Sequence, residues 1–499
     1  MTRRSFVGAA GAAPAGLAAS LEITAFGAVG DGKRNSRAAI QRAIDECAGR
    51  GGGVVRIPPG KFVSGTLRLK TGVAIWLDHG AVLAASGDPS QYEARRPTDR
   101  LPPNSWECAF ILAERIERAA ILGYGTVTGG GLSKPREGRE PLQPFRPRLV
   151  SFEHCRDVRV EGVALRDADR WTLHFYDCDS VQARGLTITA HYGIPNSDGI
   201  DVDGSRNVTI SGCEIVTGDD CVVIKTTNYL GEPRPCENIT VSNCMLSTKA
   251  SGLKIGTETH ADFSNIVFSN CTIFGSGRYR PDGVCLEAVD GTRVRGVSVS
   301  NIAMRDVRTP LFVRVGNRHG ASSLEDAVIS NIVAVNADMT SSITGIPARA
   351  VENIAVSDMR IVMAGGTPAS QADIEVPERE SAYPAGRMFG NLPAYGFFVR
   401  HARQVDLRGV SLSCEKPDGR PVIIADDVEG LAVEGLRAEG TLRLRNVRRA
   451  VVRGARGRVR VSGAQSNEIR LVAERQAPES EIVERGPEVR PESVRVVIP

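Results

Sequence analysis

The chain has 499 residues, and its 62 basic and 58 acidic side chains give a formal net charge of +4. That balance, with no basic stripe interleaved with aromatics, excludes a nucleic-acid footprint, and no apolar run approaches the roughly 18 residues of a membrane span. Frequent glycine (53 residues) beside sparse aromatics (5%) favours a repetitive β architecture.

The N-terminus reads Thr2-Arg3-Arg4-Ser5-Phe6-Val7 and continues as a Gly/Ala-rich, mildly apolar run to about Ala19. Residues 1–20 are therefore expected to be an export signal of the twin-arginine type, placing the mature protein in the periplasm or outside the cell. Further on, Ala39, Ile40, Ala43, Ile44 and Cys47 recur at the spacing of one helical face, as a helix closing the N-terminal end of a stack requires.

A phrase then repeats. It is clearest in Asn207-Val208-Thr209-Ile210-Ser211-Gly212-Cys213, Asn238-Ile239-Thr240-Val241-Ser242-Asn243-Cys244 and Asn265-Ile266-Val267-Phe268-Ser269-Asn270-Cys271. Weaker equivalents run from Val163 through Leu186, Ile302, Ile332 and Met359 to Val410 and Leu436. The period is roughly 23 to 31 residues, and short strands of alternating polarity are separated within it by Gly, Asn or Asp turns. Leucine-rich, helical and propeller repeats do not fit this pattern. A single-domain, all-β, single-stranded parallel β-helix over residues 21–472 does, because no coil buries its inward side chains alone. Cys155, Cys178, Cys213, Cys244 and Cys271 hold one place in the phrase, which reads as an interior column of small apolar side chains rather than a disulfide framework. None has the spacing of zinc ligands. The stretch from Arg443 to Arg460 alternates basic with apolar residues and reads as a solvated strand face. Residues 473–499, charged and proline-bearing, are expected to form a tail or edge cover.

Aligning the inward pairs Leu173/Phe175, Ile200/Val202, Val222/Ile224, Leu253/Ile255, Val284/Leu286 and Leu311/Val313 stacks the outward residues between them. One outward column runs Trp171, Asp198, Asp220, Ser251, Asp282, and the next His174, Asp201, Val223, Lys254, Cys285. A third runs Asp203, Lys225, Gly256, Glu287, Arg314, so Asp203 is expected to meet Lys225, and Glu287 to meet Arg314. The clusters Asn196-Ser197-Asp198 and Gly218-Asp219-Asp220 thereby bring three carboxylates together. Crowded carboxylates resist simultaneous ionisation, which leaves a protonated donor among ionised acceptors near neutral pH. Hydrolysis of a glycosidic bond needs that division of labour.

Asn196-Ser197-Asp198-Gly199-Ile200-Asp201 followed by Gly218-Asp219-Asp220-Cys221 resembles glycoside hydrolase family 28, the polygalacturonase-like pectin hydrolases. The more general phrases from Phe26 to Gly32 and from Gly51 to Gly60 agree with it, and the resemblance spans roughly residues 22 to 440. It implies a right-handed, pectin-lyase-like β-helix, with Asp219 as general acid, Asp198 and Asp220 activating the attacking water, and inversion at the anomeric carbon. The implied partner is a polysaccharide or oligosaccharide containing uronic acid, of the galacturonan or rhamnogalacturonan class. Trp171, His174, Asp201, Lys225, Ser251, Lys254 and Arg314 are the candidate substrate-binding residues, with Lys225 bridging to Asp203. No cofactor, metal, nucleic-acid partner or membrane partner is expected, and the protein is expected to be a monomer.

Two departures from the family stand out. Ala250-Ser251-Gly252 occupies the place of the family's Gly-His-Gly, and Cys285-Leu286-Glu287 that of its Arg-x-Lys. Loss of two cations and gain of a carboxylate removes charge-assisted bonds to an acidic sugar. The altered places favour rhamnogalacturonan fragments, a substituted backbone or an exo-acting oligosaccharidase. Two rival readings keep the same fold: a polysaccharide lyase in which Asp198, Asp219 and Asp220 chelate calcium, and a carbohydrate-binding β-helix without activity.

Overall fold

The computed structural model describes residues 20–93, 108–136, 142–143, 145–228, 231–473 and 476–498. The expected export signal lies outside the described residues apart from Ser20.

Each strand pairs in parallel with the equivalent strand one coil further along. On one face the ladder runs Leu173–Tyr176, Ile200–Asp203, Val222–Thr226, Ser251–Thr259, Asp282–Asp290, Leu311–Gly320. A second face is built by Arg206–Ser211, Cys236–Ser242, Phe263–Phe274, Arg293–Arg305, Ser323–Ala337 and Val351–Gly365. This is the parallel β-helix that the repeat predicts. Its register is the one expected from the inward pairs, with Leu173 opposite Ile200, Ile200 opposite Val222, Val222 opposite Leu253, Leu253 opposite Val284 and Val284 opposite Leu311. The alternation fixes it, because a slip of one residue would turn every inward side chain to solvent.

The repeated phrase has a physical reason at each of its marked positions. Asn207, Asn238 and Asn265 adopt left-handed backbone at φ 55°, 56° and 55°, a region asparagine tolerates better than branched residues. Their amides then form a ladder, with Asn238 Nδ2 donating to Asn207 Oδ1 (3.0 Å) and Asn265 Nδ2 to Asn238 Oδ1 (2.8 Å). The repeated cysteines are buried free thiols.

Helix Arg37–Gly49 turns Ala39, Ile40, Ala43, Ile44 and Cys47 into the core and covers the N-terminal end. At the other end Val483–Arg485 pairs with Val459–Ser462, and Val494–Val497 with Asn467–Val472. The ladder thus continues past residue 472, where a tail or edge cover is expected from the charge, because Val483 and Val494 still supply buried side chains. No helix among the described residues is long and apolar enough to cross a membrane.

Residues 366–396, between strands Val351–Gly365 and Phe397–Arg408, lie outside the coil. They cover part of the face that carries the carboxylates, and a second, smaller core forms there from Cys285, Phe312, Phe389, Leu392, Ala394, Phe398 and Ile424. Burying a phenylalanine contributes about 1.5–3 kcal/mol, so this patch holds the segment against the face.

Candidate functional site

The carboxylates stand on turns that enter two adjacent strands. Ser197 Oγ donates to Ile194 O (2.8 Å) and accepts from Gly218 N (3.0 Å), tying the two turns together. Only glycine fits at 218, since a Cβ there would lie 2.4 Å from Ile194 O and 2.7 Å from Ser197 Oγ. The carbonyl of Asp219 accepts from the hydroxyls of Thr217 and Thr248, which fixes its backbone.

Asp198, Asp219 and Asp220 each present an oxygen within 4.8 Å of the other two. Asp219 is half-buried, whereas Asp198 and Asp220 are buried at 4% and 6% exposure. Asp219 is thus the most open of the three. Its Oδ2 accepts from Asn196 N (3.1 Å) and its Oδ1 from Asp220 N (3.0 Å). Burial, and after it the Asp220 charge, raises the Asp219 carboxyl above the usual carboxylate range. Burial, with Asp201 and Asp219 following, pushes Asp198 well above that range. Asp198 Oδ1 is buried without a hydrogen-bond partner among the described residues.

Two lysines balance this charge. Lys254 Nζ lies 3.1 Å from Asp220 Oδ2, and Ser251 N donates to Asp220 Oδ1 at 2.9 Å. Lys225 Nζ lies 2.5 Å from Asp201 Oδ1 and 3.8 Å from Asp198 Oδ2. Burial opposes the charge on both lysines, yet the facing carboxylates raise each above its ordinary value: Asp201 and Asp198 at Lys225, Asp220 and Glu287 at Lys254. Glu287, 3.8 Å from Lys254 Nζ, is pushed by burial up to about 8.

The two expected charge pairs do not form in the way the columns imply. Asp203 and Lys225 are register neighbours, but the Lys225 ammonium turns to Asp201 and Asp198, while Asp203 accepts from Thr227 N (2.8 Å) and Thr227 Oγ1 (2.7 Å). Glu287 and Arg314 are likewise neighbours in register. Arg314 nevertheless donates to the carbonyls of Gly345 and Glu378, each at 2.7 Å, and Glu287 faces Lys254.

The expected substrate-binding residues divide into three groups. Ser251, Lys254 and Lys225 touch or adjoin the carboxylates as described. His174 and Asp201 are fully buried and Arg314 is 1% exposed, so these three do not open onto the cleft. His174 is enclosed by Ser151 (3.4 Å) and Asp203 (3.3 Å), and burial, then Arg148, drives its imidazole well below its ordinary value. Trp171, 8% exposed, is ringed by cations, with Lys225 Nζ 3.8 Å and the Arg148 and Arg170 guanidiniums 4.8 and 4.9 Å from its centroid. The Lys225 ammonium therefore sits over its ring in a cation–π contact.

Other residues enter the site without a local sequence signal. Arg308 grips Asp282 with two 2.8 Å bonds. Arg146 donates to Pro195 O (2.8 Å) and Asn196 Oδ1 (3.1 Å), bracing the first acidic turn. Asp290 receives Arg318 (2.7 Å) and His319 (2.8 Å), with His260 at 4.0 Å.

Against this geometry, comparison with known proteins is specific. The sequence matches the profile of glycosyl hydrolases family 28 over residues 65–370, more than half of the chain. Residues 20–80 also match a profile described as rhamnogalacturonase A/epimerase, pectate lyase-like. A probable polygalacturonase from Vitis vinifera is 26% identical over 370 residues, covering 69% of this chain and 74% of the relative. An endo-polygalacturonase from Pectobacterium carotovorum subsp. carotovorum is 29% identical over 294 residues, covering 55% and 70%. Among solved structures, an exopolygalacturonase from Thermotoga maritima aligns with a TM-score of 0.63 at 21% identity, covering 79% of this chain and 92% of that one. The family 28 exopolygalacturonase of Yersinia enterocolitica gives 0.62 at 18% identity, covering 86% and 78%. At these identities the structures establish the fold, a right-handed parallel β-helix. The family match covers the strands and turns that carry all three carboxylates, and the chain belongs to glycosyl hydrolases family 28 and is a glycosidase.

Proposed function

We propose that the protein is an inverting hydrolase of pectin-derived polysaccharide or oligosaccharide, of the galacturonan or rhamnogalacturonan class. The observation that carries this reading is the trio of carboxylates within 4.8 Å of one another, with Asp219 the most open. In this reading Asp219 protonates the leaving oxygen as the bond to the anomeric carbon breaks. Asp198 and Asp220 take the proton of the attacking water. Lys254 and Ser251 orient Asp220 as an acceptor, and the Oδ1 of Asp198, buried without a hydrogen-bond partner among the described residues, is the second acceptor. Burial strengthens each of these interactions relative to water.

The spacing bears on stereochemistry. Whole carboxyl groups stand about 6.5–9.5 Å apart in most inverting enzymes and about 5–5.5 Å apart in retaining ones. The value here is a nearest-oxygen distance, which runs shorter than either measure. Inversion therefore rests on the family resemblance, and the first-formed anomer decides it.

The test is reducing-sugar release with NMR of the new anomeric centre on polygalacturonate, rhamnogalacturonan and their oligosaccharides. Asp219→Asn is expected to lower kcat by about 10²–10⁴-fold while sparing substrate affinity, since a general acid acts in the transition state. Unchanged turnover in that variant removes Asp219 from its role. A lyase reading has one observation in its favour: the same three oxygens are placed to share a cation. Appearance of an unsaturated, ultraviolet-absorbing product, abolished by a chelator, would select it. Binding of pectic oligosaccharides without release of any product would select the non-catalytic reading.

A further inference from the structure

Thr259, Asp290 and Gly320 end three successive strands of the face that carries the carboxylates, so residues at these ends stack about 4.8 Å apart. His260 follows the first end, Asp290 closes the second, and His319 stands one residue before the third. The three present ligand atoms within 4.8 Å of one another. His319 Nδ1 lies 2.8 Å from Asp290 Oδ1, and His260 Nε2 lies 4.0 Å from Asp290 Oδ2. The two imidazoles face each other at 5.7 Å with 25° between their planes. No local motif announces this cluster, because each member comes from a different coil.

Asp290 is held without the imidazoles. Its side chain is fully buried, and Arg318 Nε (2.7 Å), Arg318 Nη2 (2.5 Å) and Thr259 N (3.0 Å) supply three donors. Thr259 also fixes the backbone there, its Oγ1 accepting from Val289 N (3.0 Å) and Asp290 N (3.1 Å). A carboxylate has about four lone-pair sites, so one remains on Oδ1, and His319 Nδ1 points at it. The His319 side chain is 59% exposed, and an ion pair that open adds little to folding. A buried carboxylate oriented by outer partners, with two imidazoles converging on it, is instead the donor set of a metal ion.

We propose that His260, Asp290 and His319 bind one divalent transition-metal ion of the zinc or nickel type. The ion lies between His319 Nδ1 and Asp290 Oδ1, with the His319 ring proton on Nε2, and water completes its shell. Atoms bound at about 2.0–2.2 Å around a tetrahedral ion stand about 3.3 Å apart, and the separations of 2.8 and 4.0 Å bracket that value. His260 is half-buried and His319 exposed, which leaves both rings room to adjust. Two nitrogen donors select against magnesium and calcium, which prefer oxygen. Glu258, whose charge acts on both His260 and Arg318, offsets part of the added positive charge. The ion joins three coils as a staple and takes no part in hydrolysis, so the proposal does not rest on the hydrolase reading.

The test uses the full chain without an affinity tag, stripped with a chelator, desalted, and titrated calorimetrically with zinc, nickel and calcium chlorides. A single ion per chain with zinc or nickel is expected, with no heat from calcium and a zinc-dependent rise in Tm. His260→Ala and His319→Ala, both changes of partly open side chains, are each expected to weaken zinc binding by more than the about 10–100-fold that loss of an outer partner costs, and to abolish the rise in Tm. Asp290→Asn is expected to do the same. Should that variant fail to fold because Arg318 loses its partner, the two histidine variants still decide. Absence of zinc and nickel binding overturns the proposal, and so does binding that survives in both histidine variants. Loss of binding in Asp219→Asn alone moves the ion to Asp198, Asp219 and Asp220 and overturns it as well.

Discussion

Lys225 is the counter-charge that opposes the rise burial imposes on Asp198 and Asp201. Burial alone would keep both neutral, and even with the ammonium 2.5 Å away Asp201 is raised by burial to about 6. Replacing Lys225 by Met is expected to raise Asp198 and Asp201 further, so that the base forms only at higher pH. The acid limb of the kcat/KM profile should move up by about one unit or more, with kcat at neutral pH down about 10-fold or more; an unmoved limb would show that Asp198 does not act as base. Glu287 makes the opposite kind of statement, about stability. Its folded value of about 8 lies above its ordinary 4.5, so between those pH values the folded state binds the extra proton. Its contribution is fully present below pH 4.5 and is lost as pH rises through about 8. Glu287→Gln should flatten the fall in Tm across that window, and an identical pH dependence in both proteins would refute the assignment. At this scale the sequence was informative about position and poor about direction. Period-two alternation placed Asp203 beside Lys225, but a four-carbon side chain reaches a neighbour either way, and here it turns to Asp201 over the Trp171 ring.

The coil is the element in which sequence and structure agree most closely, because each signal has a local cause. Asparagine marks the corner where the backbone is left-handed, cysteine the small inward site, and alternation the register. Asn238 both donates to Asn207 and accepts from Asn265 while sitting at φ 56°. Asn238→Ala should therefore lose two ladder bonds and force alanine into a region that costs it about 1–2 kcal/mol. With about 0.5–1.5 kcal/mol for each exchanged hydrogen bond, a total loss of about 2 kcal/mol or more is expected in urea unfolding. Asn238→Gly should recover the backbone part of that loss, and if glycine is no better than alanine the corner conformation is not the cause. Residues 366–396 show where such reading stops. Phe389 and Leu392 belong to no repeat, and their partners Cys285 and Phe312 lie on coils far away in the chain. No repeat position marks Phe312 as a landing site, although Cys285, standing where the family's Arg-x-Lys has its arginine, was the visible clue.

Across the whole molecule, a stack of coils holds its stability in the contacts between neighbours and loses it first at unprotected ends. The carboxylates lie well inside the stack, with paired strands on both sides from Ala109–Glu114 to Val483–Arg485. Helix Arg37–Gly49 shields the first coils, and Ile44 on it is fully buried. Ile44→Asp places an unpaired charge in that contact and should cost about 3–5 kcal/mol locally. If neighbouring coils couple only in series, hydrogen exchange should rise in the first strands, through Val73–Leu77, while the strands Ile200–Asp203 and Val222–Thr226 keep their protection. Hydrolytic rate measured well below the unfolding temperature should then change less than twofold, roughly as expected for sites in separate cooperative units. Loss of protection at Ile200–Asp203 in step with the first coils would mean that the solenoid opens as one unit. The cap would then set the working temperature of a catalytic face many coils away.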